Sequence, residues 1–190
     1  MKIELTKLND VIILRSELHE DIRGSFKESF RLDKIEQTVK RKIYFCQDNL
    51  VESKKGVIRG LHYQMSPFSQ SKLVSVIKGR VLDVIVDIRK GSPTFGKYIK
   101  TELSENNQKY IFIPRGFAHG YITLSESSIF HYKVDNYYEK KSERSIAFDD
   151  PKLGIDWILP QREWIVSKKD NNHLSLEEAT VFDFNSNLYD

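Results

Sequence analysis

Cysteine is nearly absent from this chain: Cys46 is the sole one among 190 residues. That excludes an intrachain disulfide framework and agrees with a reducing compartment, so Cys46 is read as a small hydrophobe packed inside. Charge of one sign is lacking too, since 30 basic and 27 acidic residues leave a net charge of +3. The balance excludes the concentrated basic field of a nucleic-acid binder and leaves room for a small anionic ligand. No apolar run approaches the roughly 18 residues of a membrane span, and residues 1–7 carry charges where a signal peptide would be apolar. The chain therefore reads as cytoplasmic, with no nucleic-acid or membrane partner. Internal repeats and low-complexity segments are missing as well. A chain of this length is expected to form one domain, burying roughly 70% of its unfolded surface without a metal or disulfide staple.

What is there is a succession of short β-prone runs. Residues 3–14 hold two of them parted by Asn9-Asp10, which predicts two strands and a turn. Residues 23–30 are expected to be extended, with Phe26, Glu28 and Phe30 on one face. The pattern predicts short helices over 32–38 and near 174–179, a strand over 43–49 and a loop over 52–56. Runs at 72–77 and 80–88, joined by Lys78-Gly79, predict a hairpin. Its second strand puts Asp83, Ile85 and Asp87 on one face and Leu82, Val84, Val86 and Ile88 on the other. Further strands are expected over 98–103, 110–113, 120–124 and 129–134, and the rhythm stops after Asp149-Asp150-Pro151. Strands at roughly 8–12-residue spacing without long helices predict an antiparallel sandwich or barrel.

One run carries unexpected charge. Gly56-Val57-Ile58-Arg59-Gly60-Leu61-His62-Tyr63-Gln64 sets an arginine and a histidine in a β-prone apolar stretch, where burying them is costly unless an anion or hydrogen-bonding partner meets them. The arginine is a candidate anion holder and the histidine a candidate proton carrier. Strict alternation would send Arg59 and His62 to opposite faces, and a bulge at Gly60 would bring them to one. Asp83, inward among aliphatics, wants a partner, and His119 is the one expected. Metal binding is not expected, because a tightly held ion takes about three protein ligands and His62 and His119 supply two.

Ile113-Pro114-Arg115-Gly116-Phe117-Ala118-His119-Gly120 resembles the second motif of the cupin superfamily. In metal-binding cupins that histidine joins a His-x-His pair and a Glu, whereas here Gln64 follows His62. In chain order, Arg23-Gly24-x-Phe26, Gln47-Asp48-Asn49, the motif from Gly56 to Gln64, Lys72-Leu73-Val74, Ser92-Pro93-Thr94-Phe95-Gly96, the His119 motif, Tyr132-Lys133, Tyr137-Tyr138 and the stretch from Asp149 to Trp157 together resemble the dTDP-4-dehydrorhamnose 3,5-epimerase family. The resemblance runs over nearly the whole chain.

It implies an all-β, double-stranded β-helix (jelly-roll, cupin) barrel with a few short peripheral helices. It also implies N-terminal strands and a dimer arm in 1–50, a barrel core in 51–150 and a C-terminal segment in 151–190. The implied substrate is a nucleotide-linked 4-keto-6-deoxy sugar, with no cofactor, no metal and a homodimer whose N-terminal strand joins the partner's sheet. Epimerisation beside a ketone needs a base, an acid on the opposite face and a cation at the developing enolate oxygen. His62 matches the base, Asp170 the carboxylate that orients it, Tyr132 the acid and Lys72 the cation. Arg59 suits the diphosphate through its forked donors, and His119 matches a polar group lining the pocket. Arg23, Phe26 and Glu28 resemble nucleotide-end residues that reach a neighbouring subunit's pocket, and Gln47 and Asn49 resemble hydrogen-bonders. Tyr138 would stack on the base, and Asp83 and Glu143 complete the expected substrate-binding set. Three readings stay beside this one: a mono-epimerase or ketoisomerase on the same fold, a metal-dependent oxygenase, and a sugar-binding module.

Overall fold

Alternating β-branched and aromatic residues between turn-formers settle into strands. A computed structural model describes residues 1–171 and 173–189. In order they form β1 (Lys2–Leu5), β2 (Ile12–Arg15), β3 (Leu18–Asp21), β4 (Gly24–Lys27), helix α1 (Leu32–Val39), β5 (Gln47–Lys54), β6 (Val57–Gln64), β7 (Lys72–Lys78) and β8 (Arg80–Asp87). There follow β9 (Arg89–Lys90), β10 (Tyr98–Ser104), β11 (Lys109–Ile113), β12 (Phe117–Thr123), β13 (Ser127–Val134), β14 (Glu143–Ser145), a 3₁₀ turn (Gln161–Glu163), β15 (Ile165–Val166) and β16 (Phe182–Asp183). Two sheets face each other as a jelly roll, one ordered β1-β2-β11-β7-β13-β5 and the other β10-β8-β12-β6-β14, with β15 added to β6.

Apolar residues fill three layers. Val74, Val76, Ile85, Ile111 and Phe130 pack between the sheets. Leu82, Val84 and Val86 turn outward from β8, with Ile88 just beyond it, and are covered by Phe148, Trp157 and Phe182 of the C-terminal segment. Leu14, Leu73 and Phe112 turn outward from the other sheet and are covered by Ile35 of α1. β8 is therefore buried on both faces, and its alternation follows the expectation with Asp83 on the inner side.

Several local expectations are corrected. β7 and β8 do not pair as a hairpin, for β7 lies between β11 and β13 while β8 lies between β10 and β12. Gly79 turns a barrel corner between the sheets at φ 79°, where a Cβ would collide with the Ser127 carbonyl. Its carbonyl accepts from Glu105 N at 3.1 Å instead of joining a two-strand ladder. The strand expected over 43–49 begins at Gln47 and runs on to Lys54 through the expected loop, because β13 offers a partner for every residue of it. Cys46, just before it, is half-buried at the sheet edge rather than packed inside. No helix forms near 174–179: Ser175 O accepts from Glu178 N and Ala179 N for a single turn, and Asp150 Oδ2 captures Leu176 N at 2.8 Å.

The N-terminal strands pair within this chain, β1 on β2 and β2 on β11. β3 and β4 make a separate exposed hairpin ending at Lys27, so Phe26, Glu28 and Phe30 do not share a strand face. Phe26 stays in solvent, whereas Phe30 packs edge-on to Phe45, 5.6 Å between centroids. No described helix is long and apolar enough to cross a membrane.

Candidate active site

The site begins with the register of β6. Against β12, His62 lies opposite His119 and Arg59 opposite Tyr121, so β6 spends one residue more than its partner over this interval. That extra residue is the bulge expected at Gly60. Ile58, Leu61 and Tyr63 pack on the outer face, while Arg59, His62 and Gln64 line the cavity between the sheets. Gly60 has φ 134°, and a Cβ on it would stand 2.5 Å from Gly120 Cα. Two glycines facing each other let the backbones approach closely enough for the bulge to fit.

The cavity, about 210 Å³, opens at one end of the barrel. On its β6 wall, His62 Nε2 is 2.7 Å from Asp170 Oδ1. Burial would raise the Asp170 carboxyl, but hydrogen bonds from His62 and Ser167 outweigh it and hold it well below the usual carboxylate range. Ser167 Oγ donates to Asp170 Oδ2 at 2.8 Å, and His173 Nε2 lies 3.2 Å from Oδ1. Behind it, His173 Nδ1 meets Ser145 Oγ at 2.7 Å.

Tyr132 lines the cavity from β13, which belongs to the facing sheet, and burial pushes its hydroxyl above the ordinary tyrosine value. Lys72 reaches in from β7, with Nζ 3.5 Å from the His62 carbonyl. The residue is half-buried, yet its ammonium is enclosed by protein, and that enclosure lowers its pKa to about 8 against the pull of Asp83 and Glu143. His119 Nε2 meets Asp83 Oδ2 at 2.7 Å, the pairing expected for that inward carboxylate. Burial raises the Asp83 carboxyl, and its Oδ1 has no hydrogen-bond partner among the described residues.

At the mouth, Tyr138 donates its hydroxyl to Glu143 Oε2 at 2.8 Å, and Lys169 pairs with the same oxygen at 2.6 Å. Gln47 Oε1 accepts from Tyr138 N at 3.3 Å, and Gln47 Nε2 donates to Asn49 at 2.8 Å, which sets both beside the mouth rather than in its lining. Arg59, which lines the cavity, donates its Nε to Ser53 Oγ at 3.2 Å. Arg23, Phe26 and Glu28 are not brought to this cavity: Arg23 and Phe26 are exposed on the β3–β4 hairpin, and Glu28 pairs with Arg31.

Sequence reasoning missed Ser145, Ser167, Lys169 and His173. The spacing Ser167, Asp170, His173 was a readable signal, since residues three apart meet in a tight turn. Gln64 also has a clear duty: its amide donates to Phe68 O at 2.6 Å and accepts from Glu139 N at 2.8 Å, pinning the segment that carries Tyr138. The same Nε2 also donates to Tyr137 O at 3.1 Å, and a neutral histidine, with a single N–H, could not make both donations.

Two antiparallel sheets closed over a polar cavity, with titratable side chains on facing walls, form a jelly roll of the cupin type. Residues 5–178 match the family model for dTDP-4-dehydrorhamnose 3,5-epimerase, and the chain belongs to that family. It is 44% identical over 182 residues to the dTDP-4-dehydrorhamnose 3,5-epimerase of Shigella flexneri, covering 96% of this chain and 99% of that one. The crystal structure of dTDP-4-dehydrorhamnose 3,5-epimerase from Elizabethkingia anophelis NUHP1 matches with TM-score 0.90 and 45% identity, over 94% and 97% of the two chains. That of dTDP-6-deoxy-D-glucose-3,5-epimerase from Legionella pneumophila Philadelphia 1, in complex with dTDP-4-keto-L-rhamnose, matches with TM-score 0.92 and 41% identity, over 97% and 99%.

Proposed function

We propose that this chain epimerises C3 and C5 of a dTDP-linked 4-keto-6-deoxyhexose, giving dTDP-4-dehydrorhamnose. The observation that carries the reading is the His62–Asp170 contact on one wall with Tyr132 on the facing sheet, across one cavity that also holds Lys72. With Nε2–H donated to Asp170, the His62 ring nitrogen left to the cavity is Nδ1, whose lone pair takes the proton from carbon beside the ketone. The electron pair moves onto the ketone oxygen, where the Lys72 ammonium stabilises it. Asp170 stabilises the imidazolium that forms. Tyr132 then protonates the carbon from the opposite face, which inverts it. The sequence repeats at the second carbon after proton exchange with solvent.

Arg59 takes the diphosphate in this reading, Tyr138 stacks on the base, and Gln47, Asn49, His119 and Glu143 bond the sugar and nucleotide. Arg23, Phe26 and Glu28, exposed in one chain, act in the cavity of a second copy, so the working form is a cytoplasmic homodimer of single-domain chains that needs no cofactor.

The substrate offered in deuterated water tests this. Deuterium appears at both flanking carbons by NMR if the reading holds; exchange at one carbon alone shows a mono-epimerase, and exchange at neither overturns the substrate. His62→Ala is expected to lose about 10²–10⁴-fold or more in kcat, the usual worth of a general base. Near-normal turnover in that variant would remove His62 from the mechanism.

A further inference from the structure

The fold keeps His119 on Asp83, but it gathers another set of ligand atoms that the sequence alone left apart. His62 Nε2 and His173 Nε2 approach the same oxygen, Asp170 Oδ1, at 2.7 and 3.2 Å, and the three atoms lie within 4.8 Å of one another. The two rings stand at 85° with centroids 6.0 Å apart, so they reach the carboxylate from different sides. The Asp170 and His173 side chains are 7% and 9% exposed and His62, at 26%, faces the cavity, so the cluster sits in the cavity wall rather than on the outer surface. Ser145 holds the far nitrogen of His173 at 2.7 Å, the kind of outer contact that fixes a ligating imidazole. Zinc bonds to nitrogen and oxygen of about 2.0–2.1 Å give tetrahedral edges of about 3.3 Å. The His173 pair already stands at that spacing, and the His62 pair needs to open by about half an ångström. His62 and Asp170 also line the cavity, which leaves a fourth position to water.

We propose that His62, Asp170 and His173 form a binding site for a divalent transition-metal ion of the zinc type, and that its occupancy silences the enzyme. The silencing rests on His62 being the base. A neutral imidazole has one N–H and one lone pair. When the ion bonds to Nε2 it takes that lone pair, the proton formerly on Nε2 leaves to solvent, and Nδ1 takes one up. His62 loses no net proton, but nothing remains on it to accept one from substrate. Metal binding and proton abstraction are mutually exclusive at this ring.

Titrating the whole protein with zinc against a chromophoric chelator is expected to give one ion per chain at micromolar dissociation constant or tighter. His173→Gln should weaken binding at least tenfold, and His119→Gln should leave it unchanged. X-ray absorption at the zinc edge of the unaltered protein, which depends on no variant folding, should report two imidazoles and an oxygen ligand. Absence of stoichiometric binding, equal affinity in His173→Gln, or a first shell without imidazole overturns the site. Zinc bound by these ligands without loss of turnover overturns the silencing and the base role of His62 together. Failure to bind zinc in an enzyme that exchanges both carbons removes the site and leaves the function standing.

Discussion

Enclosure brings the Lys72 ammonium down to about 8, and two opposite pH dependences follow. The charged form is the one able to meet an enolate, so kcat/KM is expected to fall as pH rises through about 8, before Tyr132, whose hydroxyl is pushed above its ordinary value, loses its proton. Lys72→Arg keeps the charge at high pH and should carry the alkaline limb upward; a limb unmoved in that variant would assign it to another group. Stability runs the other way. Between about 8 and the ordinary lysine value the unfolded chain binds this proton and the folded chain does not, so the contribution of Lys72 to stability rises with pH there. Urea unfolding at pH 8 and pH 10, compared with Lys72→Met, reads that difference. At this scale the sequence spoke unevenly. Asp83 announced a partner by being an inward carboxylate among aliphatics, whereas the Ser145–His173 contact spans 28 positions and has no local pattern to reveal it.

The bulged strand β6 is the element on which the site depends. Gly60 and Gly120 touch where a side chain would force the two neighbouring strands apart, so Gly60→Ala is expected to cost about 2–4 kcal/mol through φ strain and collision with the β12 backbone. Chemical denaturation measures it, and a loss under about 1 kcal/mol would mean that the bulge relaxes freely. This bulge was legible because a glycine between Arg59 and His62 was the one way for both to reach one cavity. The β7–β8 connection was not legible. A two-residue Lys78-Gly79 link reads as a hairpin turn, and only the long-range pairing of β7 with β11 and β13 shows that the chain turns a corner instead. The missing helix near 174–179 has the same origin, since Asp150 competes for the Leu176 amide from 26 positions away.

Across the whole molecule, the C-terminal segment packs against a buried ion pair of the barrel. Asp87 accepts from Arg89 Nε and Nη2 at 2.9 and 2.8 Å and from Ser92 and Thr94 at 2.7 and 2.6 Å, while the Arg89 guanidinium lies 5.2 Å from the Phe184 ring centroid. Burial would raise the Asp87 carboxyl, but these donors outweigh it and keep it ionised. Asp87→Ala strands a buried guanidinium and is expected to destabilise by about 3–5 kcal/mol, seen as a lower midpoint in guanidinium chloride; a midpoint within experimental error of the parent would show that Asp10, whose Oδ2 accepts from Arg89 Nη1 at 3.3 Å, can hold Arg89 alone. The barrel's architecture was readable from strand rhythm, because alternation is local, but the segment after Asp150 carries little alternation and is held by contacts to distant strands. The contact between His62 and Asp170 spans 108 positions and joins the middle of the chain to that late segment. A contact of such sequence separation has to meet its loop-closure entropy before it forms, which slows it relative to local pairing. Turnover regained after dilution from denaturant should therefore lag behind the recovery of β-sheet signal, and it times the moment when the last part of the chain docks.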